Sequence, residues 1–79
     1  MKLKRRVSLP PQMLGLSTSS QDCPDLWELD TGDFVAIGID ATEELRDQLP
    51  PDVRIGPDER AVLIPRKLLV SARNRIPRK

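Results

Sequence analysis

The sequence predicts a small α+β domain, an antiparallel four-stranded sheet built from two β-hairpin–helix units in the order ββαββα, with both helices on one face. Three observations carry this. Short apolar runs rich in β-formers are separated by turn signals. Two apolar stripes recur at helical spacing, and each is closed by proline. The strand–strand–helix order then occurs a second time further along the chain.

Leu26-Trp27-Glu28-Leu29 and Phe34-Val35-Ala36-Ile37-Gly38-Ile39 read as the first two strands. Asp30-Thr31-Gly32-Asp33 between them reads as a tight hairpin turn, with Gly32 supplying a permissive backbone. On the second strand Val35, Ile37 and Ile39 share one face, and Phe34, Ala36 and Gly38 the other. The small residues on that second face imply a close neighbour. Asp40 is placed to cap a helix, with Glu43 reaching back to it. Ala41, Leu45 and Leu49 form its narrow apolar stripe, and Pro50-Pro51 ends it. A second hairpin follows, from Val53-Arg54-Ile55 through Gly56-Pro57-Asp58-Glu59 to Ala61-Val62-Leu63-Ile64. Pro65 opens a second helix over Arg66–Ile76, whose Leu68, Leu69, Ala72 and Ile76 lie within about 100° of arc. Pro77 closes it. Laying Asp25–Pro50 over Asp52–Pro77 matches Asp25 to Asp52, Val35 to Val62, Ile37 to Ile64, Arg46 to Arg73 and Pro50 to Pro77. This is the pattern of a structural pseudo-repeat, compatible with a dimer that exchanges units.

The domain so read spans residues 21–77. Residues 1–20 lack helical or alternating periodicity and end in Leu16-Ser17-Thr18-Ser19-Ser20, which predicts a mobile basic, Ser-rich tail. Met13 is a plausible alternative start, and residues 78–79 form a short basic end. Arg5-Arg6-Val7-Ser8-Leu9 fits a basophilic kinase motif. Residues 7–16 are too broken by Ser and Pro for a signal sequence, and no window approaches a membrane span. The lone Cys23 forms no internal disulfide, which suits a reducing cytoplasm.

At 79 residues the chain has room for one small core. It contains no His and no Tyr, and only Trp27 and Phe34 are aromatic. That removes the Ser-His-Asp triad, the Cys-His dyad and His-based zinc sites, so neither an enzyme nor a cofactor or metal is expected. Asp30-Thr31-Gly32 matches an aspartic-protease signature, but Asp33 follows directly and no supporting apolar-apolar-Gly segment comes later. The acids from Asp22 to Asp33 lack the central Gly and terminal Glu of a calcium loop.

A formal charge of +1 hides three blocks: +4 over residues 1–21, −10 over 22–59 and +7 over 60–79. Acidic and basic parts are expected either to attract each other within the fold or to offer the basic end to an acidic partner. Two functional expectations follow. The first is a cytoplasmic regulatory or accessory protein that binds another protein through Trp27, exposed in the free monomer, with Asp25, Glu28 and Asp30 around it. The alternative is a DNA-binding regulator that uses Arg66, Lys67, Arg73 and Arg75 of the second helix.

The stretches 22–29, 32–38 and 62–66, that is Asp22-Cys23-Pro24-Asp25-Leu26-Trp27-Glu28-Leu29, Gly32-Asp33-Phe34-Val35-Ala36-Ile37-Gly38 and Val62-Leu63-Ile64-Pro65-Arg66, resemble short proteins of high-GC actinobacteria. The resemblance covers residues 21–77 and implies no activity and no functional residues. Arg60 to Leu69 faintly resembles the strand–Ile-Pro–helix segment of AbrB-type swapped-hairpin domains, which would imply a dimer with a basic face against DNA. The acidic hairpin before it departs from that pattern.

Overall fold

The computed structural model describes residues 1–16 and 24–77. The protein is α+β, with antiparallel sheets and two helices, but its strands divide into a sheet of three and a ribbon of two. Strands β1 (Leu3–Arg6), β2 (Asp25–Leu29) and β3 (Phe34–Ile37) form the sheet in that order, with β2 central. Strands β4 (Ile39–Asp40) and β5 (Val62–Leu63) form the ribbon. Helix α1 (Thr42–Leu45) continues as a 3-10 turn over Arg46–Gln48, and α2 (Arg66–Ala72) as one over Arg73–Arg75. A further 3-10 turn spans Pro11–Leu14.

The first hairpin forms as its sequence dictates. Leu26 pairs with Ala36 and Trp27 with Val35. The Leu29 N–H donates to the Asp33 carbonyl, and Gly32 takes the turn at φ +91°, a conformation costly for any residue with a Cβ. The close neighbour implied by the small face is β5. A Cβ on Gly38 would lie 2.7 Å from the Leu63 carbonyl oxygen and 2.9 Å from Val62 Cγ1. Glycine therefore lets the chain pass from sheet to ribbon against β5.

The first sixteen residues correct the expectation of a tail over residues 1–20; Ser17–Ser20 lie outside the described residues. β1 pairs antiparallel with β2, with a register irregularity between Leu3 and Arg5. Val7, fully buried, joins Leu26, Leu68 and Ala72 in the core, and Leu14, Leu16 and Ile64 pack against it. Pro11 is buried too. The physical reason is charge. Arg5 Nε meets Glu28 Oε1 at 2.7 Å, and an Arg6 guanidinium nitrogen meets Asp25 Oδ2 at 2.8 Å. The basic strand neutralises carboxylates that β2 carries into a poorly solvated place, where an unpaired charge would be expensive. Ser8 is buried as well: its hydroxyl donates to Asp25 Oδ1 and accepts from the Leu26 N–H. The kinase motif thus holds a serine that serves the core.

The second half differs more from expectation. Residues 53–55 form no strand, so among the described residues there is no second hairpin, no four-stranded sheet and no ββαββα repeat. Here Gly56 and Glu59 close a local turn: the Gly56 N–H donates to Glu59 Oε1 at 2.7 Å, and the Glu59 N–H to the Gly56 carbonyl. With those groups used and Pro57 lacking a donor, 53–55 have no return strand to pair with. β5 instead pairs with β4, Ile39 opposite Leu63 and Asp40 opposite Val62. Both helices are shorter than the periodicity predicts. Contrary to expectation the N-cap of α1 is Ala41, with no side-chain cap; Asp40, one residue earlier, accepts the Thr42 N–H in a local turn, and Glu43 pairs with Arg46 rather than reaching back. In α2, Leu68 and Ala72 are buried as predicted, while Leu69 and Ile76 from the same arc are exposed.

Candidate protein-binding surface

The four residues proposed from sequence around Trp27 separate into different roles. β2 buries Asp25 and Glu28, both in the ion pairs with β1. Neither carboxylate is presented for recognition, which corrects their reading as surface acids. Trp27 is half-buried, with the Arg6 guanidinium 5.2 Å from its ring centre, a cation–π contact that fixes one side of the indole. Asp30 is exposed at the turn and accepts the backbone N–H of Lys2. Asp30 thus fastens the hairpin turn to the start of the chain at Lys2.

The second helix keeps its basic residues outside. Arg66, Lys67, Arg73 and Arg75 are exposed, and none makes an ion pair with a carboxylate among the described residues. Arg75 contributes its backbone carbonyl, which accepts from Arg5 at 2.7 Å. The internal attraction between charge blocks therefore runs mainly between residues 1–21 and β2. The third block contributes Arg60, whose Nε lies 3.9 Å from an Asp40 carboxylate oxygen.

A polar groove of about 570 Å³ opens between Asp40, Glu43, Glu44, Arg46, Pro57 and Arg60. The Thr42 hydroxyl first, then the Thr42 backbone N–H and the charge of Arg60, hold the Asp40 carboxyl below its ordinary range. Thr42 also accepts the Ala61 N–H at 2.8 Å and so ties α1 to the start of β5. This cluster braces the ribbon. Among the described residues no group of three or more His, Cys, Asp or Glu is placed to hold a metal ion.

The feature that sequence reading missed is apolar. Among the described residues, Ile39 is 67% exposed and Leu63, directly opposite, 52%, with Val62 exposed beside them. A groove of about 160 Å³ adjoins the pair, lined by Leu16, Pro24, Ile39, Leu63 and Pro65. Dry cavities of about 150 Å³ accept a ring the size of benzene, so the groove suits one bulky apolar side chain. A two-stranded ribbon is marginal without a third strand or a packed face, and this one presents its apolar residues to solvent. The signal lay in the sequence: two short β-branched runs, 35–39 and 61–64, hold more apolar side chains than the short helices cover.

Comparison with protein-family models, curated proteins and solved structures finds no match to this chain. No described helix is long and apolar enough to cross a membrane.

Proposed function

We propose that this chain is a small, non-enzymatic regulatory or accessory protein that acts in the cytoplasm by binding another protein, docking it on the β4–β5 ribbon and the groove beside it. The observation that carries this is the apolar pair Ile39 and Leu63, exposed on a ribbon too short to be stable alone. Exposed apolar surface of this kind is the usual mark of an interaction site. The partner offers an apolar side chain to the groove between Pro24 and Pro65. Asp25 and Glu28 then serve the fold, Asp30 stays at the surface, and Trp27, half-buried under Arg6, offers less of its ring than the sequence proposed. The test is affinity capture from the native host with the wild-type chain and with Ile39→Asp/Leu63→Asp. The expected result is a protein retained by the first and lost by the second, at unchanged circular dichroism. An identical set of retained proteins would remove the ribbon as the docking site.

A second reading rests on a separate observation, the exposed Arg66 and Lys67 of α2 and Arg73 and Arg75 of the 3-10 turn after it, without carboxylate partners among the described residues. It assigns that face to the DNA backbone. Fluorescence anisotropy against duplex DNA at rising salt decides it: affinity should fall steeply with salt, and absence of binding at low salt ends this reading.

A further inference from the structure

We propose that the outer edge of β3 is a self-pairing edge, through which two copies of this chain join their three-stranded sheets about a two-fold axis. The two edges of the sheet are built differently. β1 carries Lys4, Arg5 and Arg6 and a register irregularity, the devices that keep a sheet edge from pairing with other chains. β3 is Phe34-Val35-Ala36-Ile37, with no charge, no proline and an unbroken register against β2. Phe34 is 42% exposed and Ile37 47%, and no described strand pairs with the outer side of β3. Among the described residues it is an unguarded edge, with no strand to take its outward backbone donors and acceptors.

The second copy is the occupant that the charges favour. Pairing β1 with β1 would set Lys4, Arg5 and Arg6 against the same cations. Pairing β3 with β1 of another chain is head-to-tail and leaves edges open for further growth. Pairing β3 with β3 closes, because both edges are consumed at once. A two-fold axis normal to the sheet brings residues of the same face opposite one another. Centred on Ala36, it sets Val35 against Ile37 of the second copy and Phe34 against its Gly38. Asp33 then faces Ile39, and Asp40 faces Gly32, so neither acid opposes another acid. The result is a continuous six-stranded sheet whose outer edges are the two cationic β1 strands. Of the ribbon groove's lining only Ile39 enters this pairing, opposite Asp33 at its end, so a substitution at Ala36, which leaves that lining untouched, tests the association apart from the partner-binding reading.

The test uses the full chain. Sedimentation across a concentration series should give a mass of twice 8.9 kDa for the wild type. Ala36→Lys, which opposes two like charges at the axis, should sediment as one chain with unchanged circular dichroism. Ala36→Cys with Cys23→Ser should form a disulfide-linked dimer under mild oxidant, because directly opposed residues lie about 4.5–5.5 Å apart, within disulfide reach. Lys4→Cys in the same background should form no disulfide-linked dimer. The cross-link decides the matter if Ala36→Lys fails to fold. A wild-type chain that stays at one chain's mass at its highest soluble concentration overturns the proposal. So does an Ala36→Lys chain that folds and remains dimeric, or a cysteine at position 36 that cross-links no faster than one at position 4.

Discussion

Replacing Val7 with alanine tests whether the N-terminal segment belongs to the domain. Val7 is wholly buried against Leu26, Leu68 and Ala72, and its N–H donates to the Leu26 carbonyl at 2.9 Å. Two buried methyl groups at about 0.8 kcal/mol each give about 1.6 kcal/mol of lost transfer energy. The void left between neighbours that relax only in part raises this to about 2 kcal/mol. A chain of this length has roughly 4–12 kcal/mol of total stability, so one side chain in the predicted tail carries a sizeable share. The melting temperature should fall by about 10 °C, at roughly 4–8 °C per kcal/mol for so small a domain. The assay is urea unfolding followed by the fluorescence of Trp27, the only tryptophan, which sits under Arg6 next to the segment in question. Leu3→Ala is the matched control: it lies in the strand that leads into Val7, but is 57% exposed, and is expected to change stability by less than about 0.5 kcal/mol. If Val7→Ala costs no more than Leu3→Ala, the packing of residues 1–16 onto β2 is refuted.

Two further outcomes follow from the ribbon. Gly38→Ala places a methyl 2.7 Å from the Leu63 carbonyl oxygen, a backbone atom that cannot swing aside. It should destabilise by about 1–3 kcal/mol, read from the same urea curves, and a neutral result would contradict the close approach of β5. Asp40 has a carboxyl held below its ordinary range by Thr42 and Arg60. Its contribution is therefore complete above the unfolded-state pKa and is lost as pH falls through the lower folded value. Wild type and Asp40→Asn should diverge in stability near neutral pH and converge below about pH 4; parallel curves across that range would show that the carboxylate gains nothing from Thr42 and Arg60.

The parts of the fold that were legible in the sequence are local ones. The β2–β3 hairpin rests on a turn of four residues around Gly32, and the inward positions of α2 rest on the spacing of Leu68 and Ala72. β1 was not legible because Lys4, Arg5 and Arg6 show no apolar alternation. What holds them is cross-strand charge to Asp25 and Glu28, residues that lie some twenty positions away in sequence. The partner of β5 was hidden for a similar reason. Ala61–Ile64 reads equally well against 53–55, and the choice of β4 depends on Gly38 allowing a close backbone approach and on Thr42 holding the Ala61 N–H. The acids around Trp27 read as surface until the cations that cover two of them are in place. The apolar ribbon is the converse: residues with every sequence mark of a core, left outside because the small helices do not reach them.

The hydrogen bond from the Arg5 guanidinium to the Arg75 carbonyl joins the first strand to the last turn across seventy positions of sequence. Val7 and Leu68 meet in the core beneath it. The two ends of the chain therefore form a single clasp. Fraying at either end loosens the same contacts, so β1 and the C-terminal turn should exchange their amide protons as one cooperative unit. Folding must bring β1 and the turn over Arg73–Arg75 together, across some seventy residues, before the core is complete, a long-range closure of the kind that slows folding. β1 and the Arg73–Arg75 turn are then neighbours in space, and a cut in the turn at 56–59 should leave their contacts intact.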